Sequence, residues 1–214
     1  MHTARMNTEI KSTATFRIIG GSLVLGLFIG IGLWQFAKNT EVSAWVTQNL
    51  MHTAWLRTQA SGEKTKPWPW AELWPIARLT VPHLNTEHIV LEQEKKQVIP
   101  SVGLRYLKSS VLPGEVGNTV LGAHPSLYFS FLSALKPNDI LVLESPRTGK
   151  WHYRVYDTRV VNKSDTELLE PGLKRRLILV TCYRCNKEEV EPQQNNSLRY
   201  VVIAEEDDRL SNGL

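Results

Sequence analysis

The stretch Leu177–Asn186, LILVTCYRCN, carries the only two cysteines of the chain, three positions apart. A Cys-x-x-Cys pair can be a redox couple, half of a zinc site, or a nucleophile with a bystander, and the local fold separates these readings. In a thioredoxin-like site the motif lies where a strand runs into a helix, because the helix N-terminus favours thiolate. Here Arg175–Cys182, RRLILVTC, reads as a strand. The sequence after it, YRCNKEEVEPQQNNS, has no apolar periodicity, contains Pro192 and reads as a polar loop. The redox reading therefore lacks its helix. A structural zinc site needs four ligands, and no second cysteine pair exists; His83 and His88 stand at loose spacing. The remaining reading makes one cysteine a nucleophile at a strand end.

Outward from this stretch, the chain from Arg78 onward consists of short runs rich in Val, Ile, Leu and Tyr separated by turn residues. Candidate strands are 78–84, 88–92, 118–124, 139–145, 150–161, 175–182 and 198–206, with SFLSALK (130–136) as one short helix. So many short strands in one domain predict a mainly β fold, a closed or nearly closed barrel. No strand alternates regularly with a helix of ten or more residues, which argues against a doubly wound α/β sheet.

The chain has 214 residues, 42% of them hydrophobic, enough for one domain with a real core plus an appendage. A net charge of +4 with scattered basic residues, KRR at Lys174–Arg176 being the one cluster, argues against a nucleic-acid face. From Ile18 to Ala37 the sequence IIGGSLVLGLFIGIGLWQFA holds no charged residue. Twenty residues of helix span roughly 30 Å, the thickness of a bilayer core. Arg5, Lys11 and Arg17 precede this run, so the positive-inside bias leaves the N-terminus in the cytoplasm and everything after the run outside. The run is longer than the core of a usual signal peptide, and no A-x-A-like site follows it, so an uncleaved anchor is expected. Next, Val42, Trp45, Val46, Leu50 and Trp55 recur at roughly helical intervals until Gly62 and KTKPWPW, which predicts a stalk helix and a stiff linker. The resulting organisation is a cytoplasmic N-terminus (1–17), an anchor (18–37), stalk helix and linker (38–66), and a β-barrel domain (67–214).

A cysteine nucleophile needs partners that raise its thiolate fraction. His124 ends the candidate strand NTVLGAH, and Arg199 opens the last strand, across the loop from Cys182. Spacing alone leaves both open to a structural or solvated role.

The segments GEVGNTVLGAHPSLYFSFLSALKPNDILVL (114–143), LILVTCYR (177–184) and LRYVVIAE (198–205) resemble, in that order, the histidine, nucleophile and arginine segments of sortases. The likeness runs from residue 67 to 206 and is greatest to the sortases of Gram-negative, marine proteobacterial type, with counterparts to KPWPWAELWPIARLTVP and SVLPGEVGN. It implies a sortase-like barrel of about seven to eight strands with short helices, and an N-terminal membrane anchor on the inner membrane with the catalytic domain on the periplasmic side. It further implies that Cys182 is the nucleophile, His124 the general acid and base, and Arg199 the group that steadies substrate and oxyanion. The implied partner is a secreted protein with a C-terminal LPxTG-like signal. Its acyl group passes through a Cys thioester to an amine or to water, with no cofactor or metal. Substrate choice is expected from the loops 157–173 and 183–197.

Two departures stand out. The family usually reads GHRDT where this chain has Gly122, Ala123, His124, Pro125 and Ser126, and related sequences read TCYPF where it has Arg184 and Cys185. A sortase-like binding module with impaired catalysis, and a periplasmic Cys-x-x-Cys oxidoreductase, are the alternative readings. In an oxidising compartment Cys182 and Cys185 can also close into a disulfide.

Overall fold

The computed structural model describes residues 26–28, 30, 40–94, 103–123, 125–165, 172–183 and 197–211. Helix α1 (Thr40–Ser61) precedes β1 (Leu73–Val81), a one-turn 3-10 helix (Pro82–Leu84), β2 (Thr86–Gln93), β3 (Leu104–Tyr106) and β4 (Gly117–Ala123). Then come α2 (Pro125–Ala134), β5 (Ile140–Ser145), β6 (Gly149–Asn162), β7 (Arg175–Cys182), β8 (Leu198–Glu206) and α3 (Asp208–Ser211).

Along β1 buried and half-buried residues alternate without a break. After the register shift at Pro75, that period of two points Ala77, Leu79 and Val81 into the barrel, whereas Leu73, before the shift, packs with Leu91 on the other face. Repeated on neighbouring strands, the alternation closes a barrel in the order β1-β2-β3-β4-β7-β8-β6-β5, with β5 pairing back to β1. The barrel expected from the sequence therefore forms, with eight strands among the described residues. Leu79, Leu121, Leu141, Leu177, Leu179 and Val202 fill its interior, and Leu132 of α2 plugs into the same core. Each such side chain contributes about 1.5–3 kcal/mol on burial.

Two pairings are parallel, β2 with β3 and β4 with β7. A parallel pair needs a crossover, here α2, β5 and β6, and it brings the C-terminal ends of β4 and β7 to the same rim. β8 runs antiparallel to β7, so its first residues lie at that rim too. Strands β4, β7 and β8 are apolar on both faces, and a second cluster of Val120, Ile178, Val201 and Ile203 lies opposite the interior side chains.

Several boundaries differ from the sequence reading. β1 starts at Leu73 rather than Arg78, because Pro75 is absorbed where the β1–β2 register shifts between Pro75 and Ala77. β3, only three residues long, was not expected. The short helix runs 125–134 rather than 130–136, with Pro125 as its first residue, where a missing N–H costs nothing.

The chain divides into two compact units, 1–47 and 48–214. Of the expected anchor at 18–37, only Gly26, Leu27, Phe28 and Gly30 are described, and they are helical. Among the described residues no helix is long and apolar enough to cross a membrane. In the second unit, Met51 of α1 is buried against Ala71, Leu73 and Leu91, with Trp68 packed on the same cluster. Gln59 donates a hydrogen bond of 2.6 Å to Glu144 of β5. Glu92 secures the linker by accepting hydrogen bonds from Lys64 and from the Trp74 indole. Burial opposes ionisation of Glu92, but those bonds outweigh it and hold the carboxyl below its usual range. Trp70, in contrast, is 78% exposed.

Candidate active site

Register places the site. In β4 and β7 the last parallel partners are Ala123 and Thr181, one residue before His124 and Cys182 in each strand's sequence. The Thr181 hydroxyl donates to the Ala123 carbonyl at 2.9 Å and clamps the two strand ends together. Cys182 pairs directly with Arg199 across β7 and β8, and Arg199 with Val161 of β6. Arg199 Nη1 lies 3.5 Å from Cys182 Sγ and donates to its neighbour's carbonyl, Leu198 O, at 2.9 Å. Tyr183 N–H donates to that same carbonyl at 3.1 Å and ties the chain leaving Cys182 to β8. The structure thus brings Cys182 and Arg199 into contact at a half-exposed rim position. His124 and Cys185 lie outside the described residues.

Cys182 is disulfide-bonded, and the sequence holds one other cysteine, Cys185. A sulfur in that state is not a nucleophile; the reduced thiol would be.

Arg199 also lines a groove of about 360 Å³ on the outer face of the barrel. Val120 and Gly122 of β4, Ile178 and Val180 of β7 and Val201 of β8 form its apolar floor, while Arg105 on β3 and Lys163 and Asp165 after β6 border it. Val161, Asn162, Lys163 and Asp165 fall within the 157–173 segment expected to govern substrate choice. Arg105 and Gly122 were not anticipated. Gly122 does carry a sequence signal, a glycine within an otherwise apolar strand. Its backbone is not in the left-handed region, and a Cβ there would meet only the Arg105 carbonyl at an ordinary 3.8 Å.

The histidines weighed as zinc ligands are engaged elsewhere. His83 lies 3.6 Å from Asp139, and His88 packs on the Phe131 ring with its imidazole pushed below the usual value by burial. Among the described residues no cluster of three or more His, Cys, Asp or Glu could hold a metal. The KRR cluster is committed as well. Lys174 and Arg176 pair with Glu205, and Arg175 pairs with Glu206 and stacks on Trp151. The glycines of SVLPGEVGN serve this corner. At Gly114 (φ +85°) a Cβ would run into Thr148 and Trp151, and at Gly117 (φ +119°) it would press on Val111 at 3.0 Å.

The closed eight-stranded barrel thus carries at one rim a strand-end cysteine beside an arginine, and that arginine also lines an apolar groove. A sequence model of the Sortase domain matches residues 79–207. The chain belongs to the sortase family, the cysteine transpeptidases. Among solved structures it is similar to a Clostridium perfringens sortase D5 transpeptidase at 17% identity and TM-score 0.57, covering 76% of this chain and 98% of that one. It is also similar to sortase A from Corynebacterium diphtheriae at 21% identity and TM-score 0.53, covering 76% and 84%. Sortase C-1 from Actinomyces oris matches at 23% identity and TM-score 0.50, over 62% and 74%. At these identities the likeness is one of fold. No curated protein sequence matches the chain.

Proposed function

We propose that the protein is a membrane-anchored sortase that cleaves a C-terminal LPxTG-like signal of a secreted protein and transfers the acyl group to an amine or to water. The observation that carries this reading is the 3.5 Å approach of Cys182 to Arg199, which also lines the apolar groove. In the reduced enzyme, the Cys182 thiolate attacks the scissile carbonyl, and the Arg199 guanidinium, always charged, faces the negative charge that develops there. His124 protonates the departing amine, leaving a thioester on Cys182, and later takes the proton of the incoming amine. The groove seats the signal as an extended strand over Gly122 and Val180. Residues 18–37 hold the enzyme in the inner membrane with the barrel on the periplasmic side.

The test is to incubate the reduced full chain, in detergent, with LPxTG peptides and look for an acyl adduct on Cys182 by mass spectrometry. The adduct should form, disappear in Cys182→Ala and decay faster with added amine. Full chain should fractionate with membranes, and chain lacking residues 18–37 should not. An inactive binding module would retain peptide without forming an adduct, whereas an oxidoreductase would instead turn over a dithiol substrate.

A further inference from the structure

Cys182 sits at a half-exposed strand end beside a guanidinium, as a nucleophile should, yet its sulfur is disulfide-bonded. We propose that the bond to Cys185, the only other cysteine, is a redox-modification site that holds the nucleophile in reserve. A dithiol reductant of the thiol–disulfide oxidoreductase class must then act on the enzyme before any sorting signal is cleaved. The inference rests on Cys182 being the transpeptidase nucleophile, and it adds the reaction that precedes transpeptidation.

The fold does not need this bond. β7 and β8 are already zipped together in continuous register from Arg176↔Glu205 to Cys182↔Arg199. A disulfide across two intervening residues also closes the kind of short loop that returns the least chain-entropy stabilisation. The surroundings instead favour its exchange in one direction. One thiolate of the reductant attacks Cys185 Sγ; the S–S bond breaks and its electron pair departs on Cys182 Sγ, leaving a mixed disulfide between the reductant and Cys185. The departing charge appears 3.5 Å from Arg199 Nη1, which makes Cys182 the better leaving sulfur. The second thiol of the reductant then attacks its own sulfur in the mixed disulfide. It closes the reductant's disulfide and releases Cys185, which takes up the proton that thiol gave up. Two electrons pass from the dithiol to the protein, and Cys182 is left as a thiolate beside Arg199, the form needed for acyl transfer.

The test uses full chain purified in detergent without reductant, unfolded, and labelled with N-ethylmaleimide. Wild type should take up no label before dithiothreitol treatment and label at both cysteines after it, whereas Cys185→Ser should label at Cys182 without treatment. In parallel, cleavage of LPxTG peptides by the folded enzyme should rise roughly tenfold or more when wild type is reduced. Cys185→Ser should be active from the start and unresponsive to reductant. Labelling of untreated wild type, or equal cleavage before and after reduction, overturns the proposal. Absence of cleavage from both reduced wild type and Cys185→Ser overturns the transpeptidase reading and the switch with it. The thiol counts distinguish that result from failure of the switch alone.

Discussion

Gly122 shows how a single residue that supports no fold requirement can define a site. Glycine inside a strand costs roughly 0.5–1 kcal/mol relative to alanine, and neither backbone angle nor crowding demands it here. The missing side chain leaves a notch in the groove floor between Arg105 and Val180, its neighbours in register. Gly122→Val should therefore keep or slightly raise the melting temperature while raising the KM for a sorting peptide several-fold. An unchanged KM would place the peptide elsewhere. Cys182 and Arg199 are legible in the sequence through their motifs. Arg105 is not, because what places it on the groove is the pairing of a three-residue strand.

At the scale of elements, the parallel pairing of β4 with β7 matters most, since it brings the C-terminal ends of two strands distant in sequence to one rim. Pro125, read in the sequence as a departure from the family pattern, is the first residue of α2. Proline suits that position, so the change has a local structural role. Helix α1 is legible from its apolar spacing, but which side it buries is not: Trp45 is 66% exposed, whereas Met51 and Trp55 are buried. Met51→Ala removes the helix's anchor in the cluster with Ala71, Leu73 and Leu91. It should cost about 2–5 kcal/mol of stability, readable in denaturant unfolding of the second unit, as expected for a buried Met reduced to Ala. A loss well below that range would mean that α1 contributes little to the barrel's stability.

Over the whole barrel unit, the last turn closes on an ion pair. Asp207 is 6% exposed, accepts hydrogen bonds from Arg154 of β6, and also accepts one from the Arg209 N–H of α3 at 3.2 Å. The hydrogen bond from Arg154 holds the Asp207 carboxyl below its usual range, against the opposing effect of burial. A carboxyl depressed in the folded state lends stability above its unfolded value near ~3.9, and that stability is lost as pH falls through the lower folded value. Asp207→Asn should therefore melt below wild type at neutral pH, and the gap should narrow on acidification below about pH 4. A gap that stays constant down to pH ~3 would show that the charge plays no part.

The residues by themselves determined the period-two strands, the stalk helix, the long apolar run at 18–37 and the identity of Cys182, His124 and Arg199 as candidates. These are local properties, carried by alternation, spacing and motif within a few residues. Tertiary structure decided what depends on partners distant in sequence. It set the cross-strand contact of Cys182 with Arg199 and a groove floor drawn from β4, β7 and β8. Strand pairing and register follow from the burial pattern of all eight strands at once, and no single stretch of sequence contains that information.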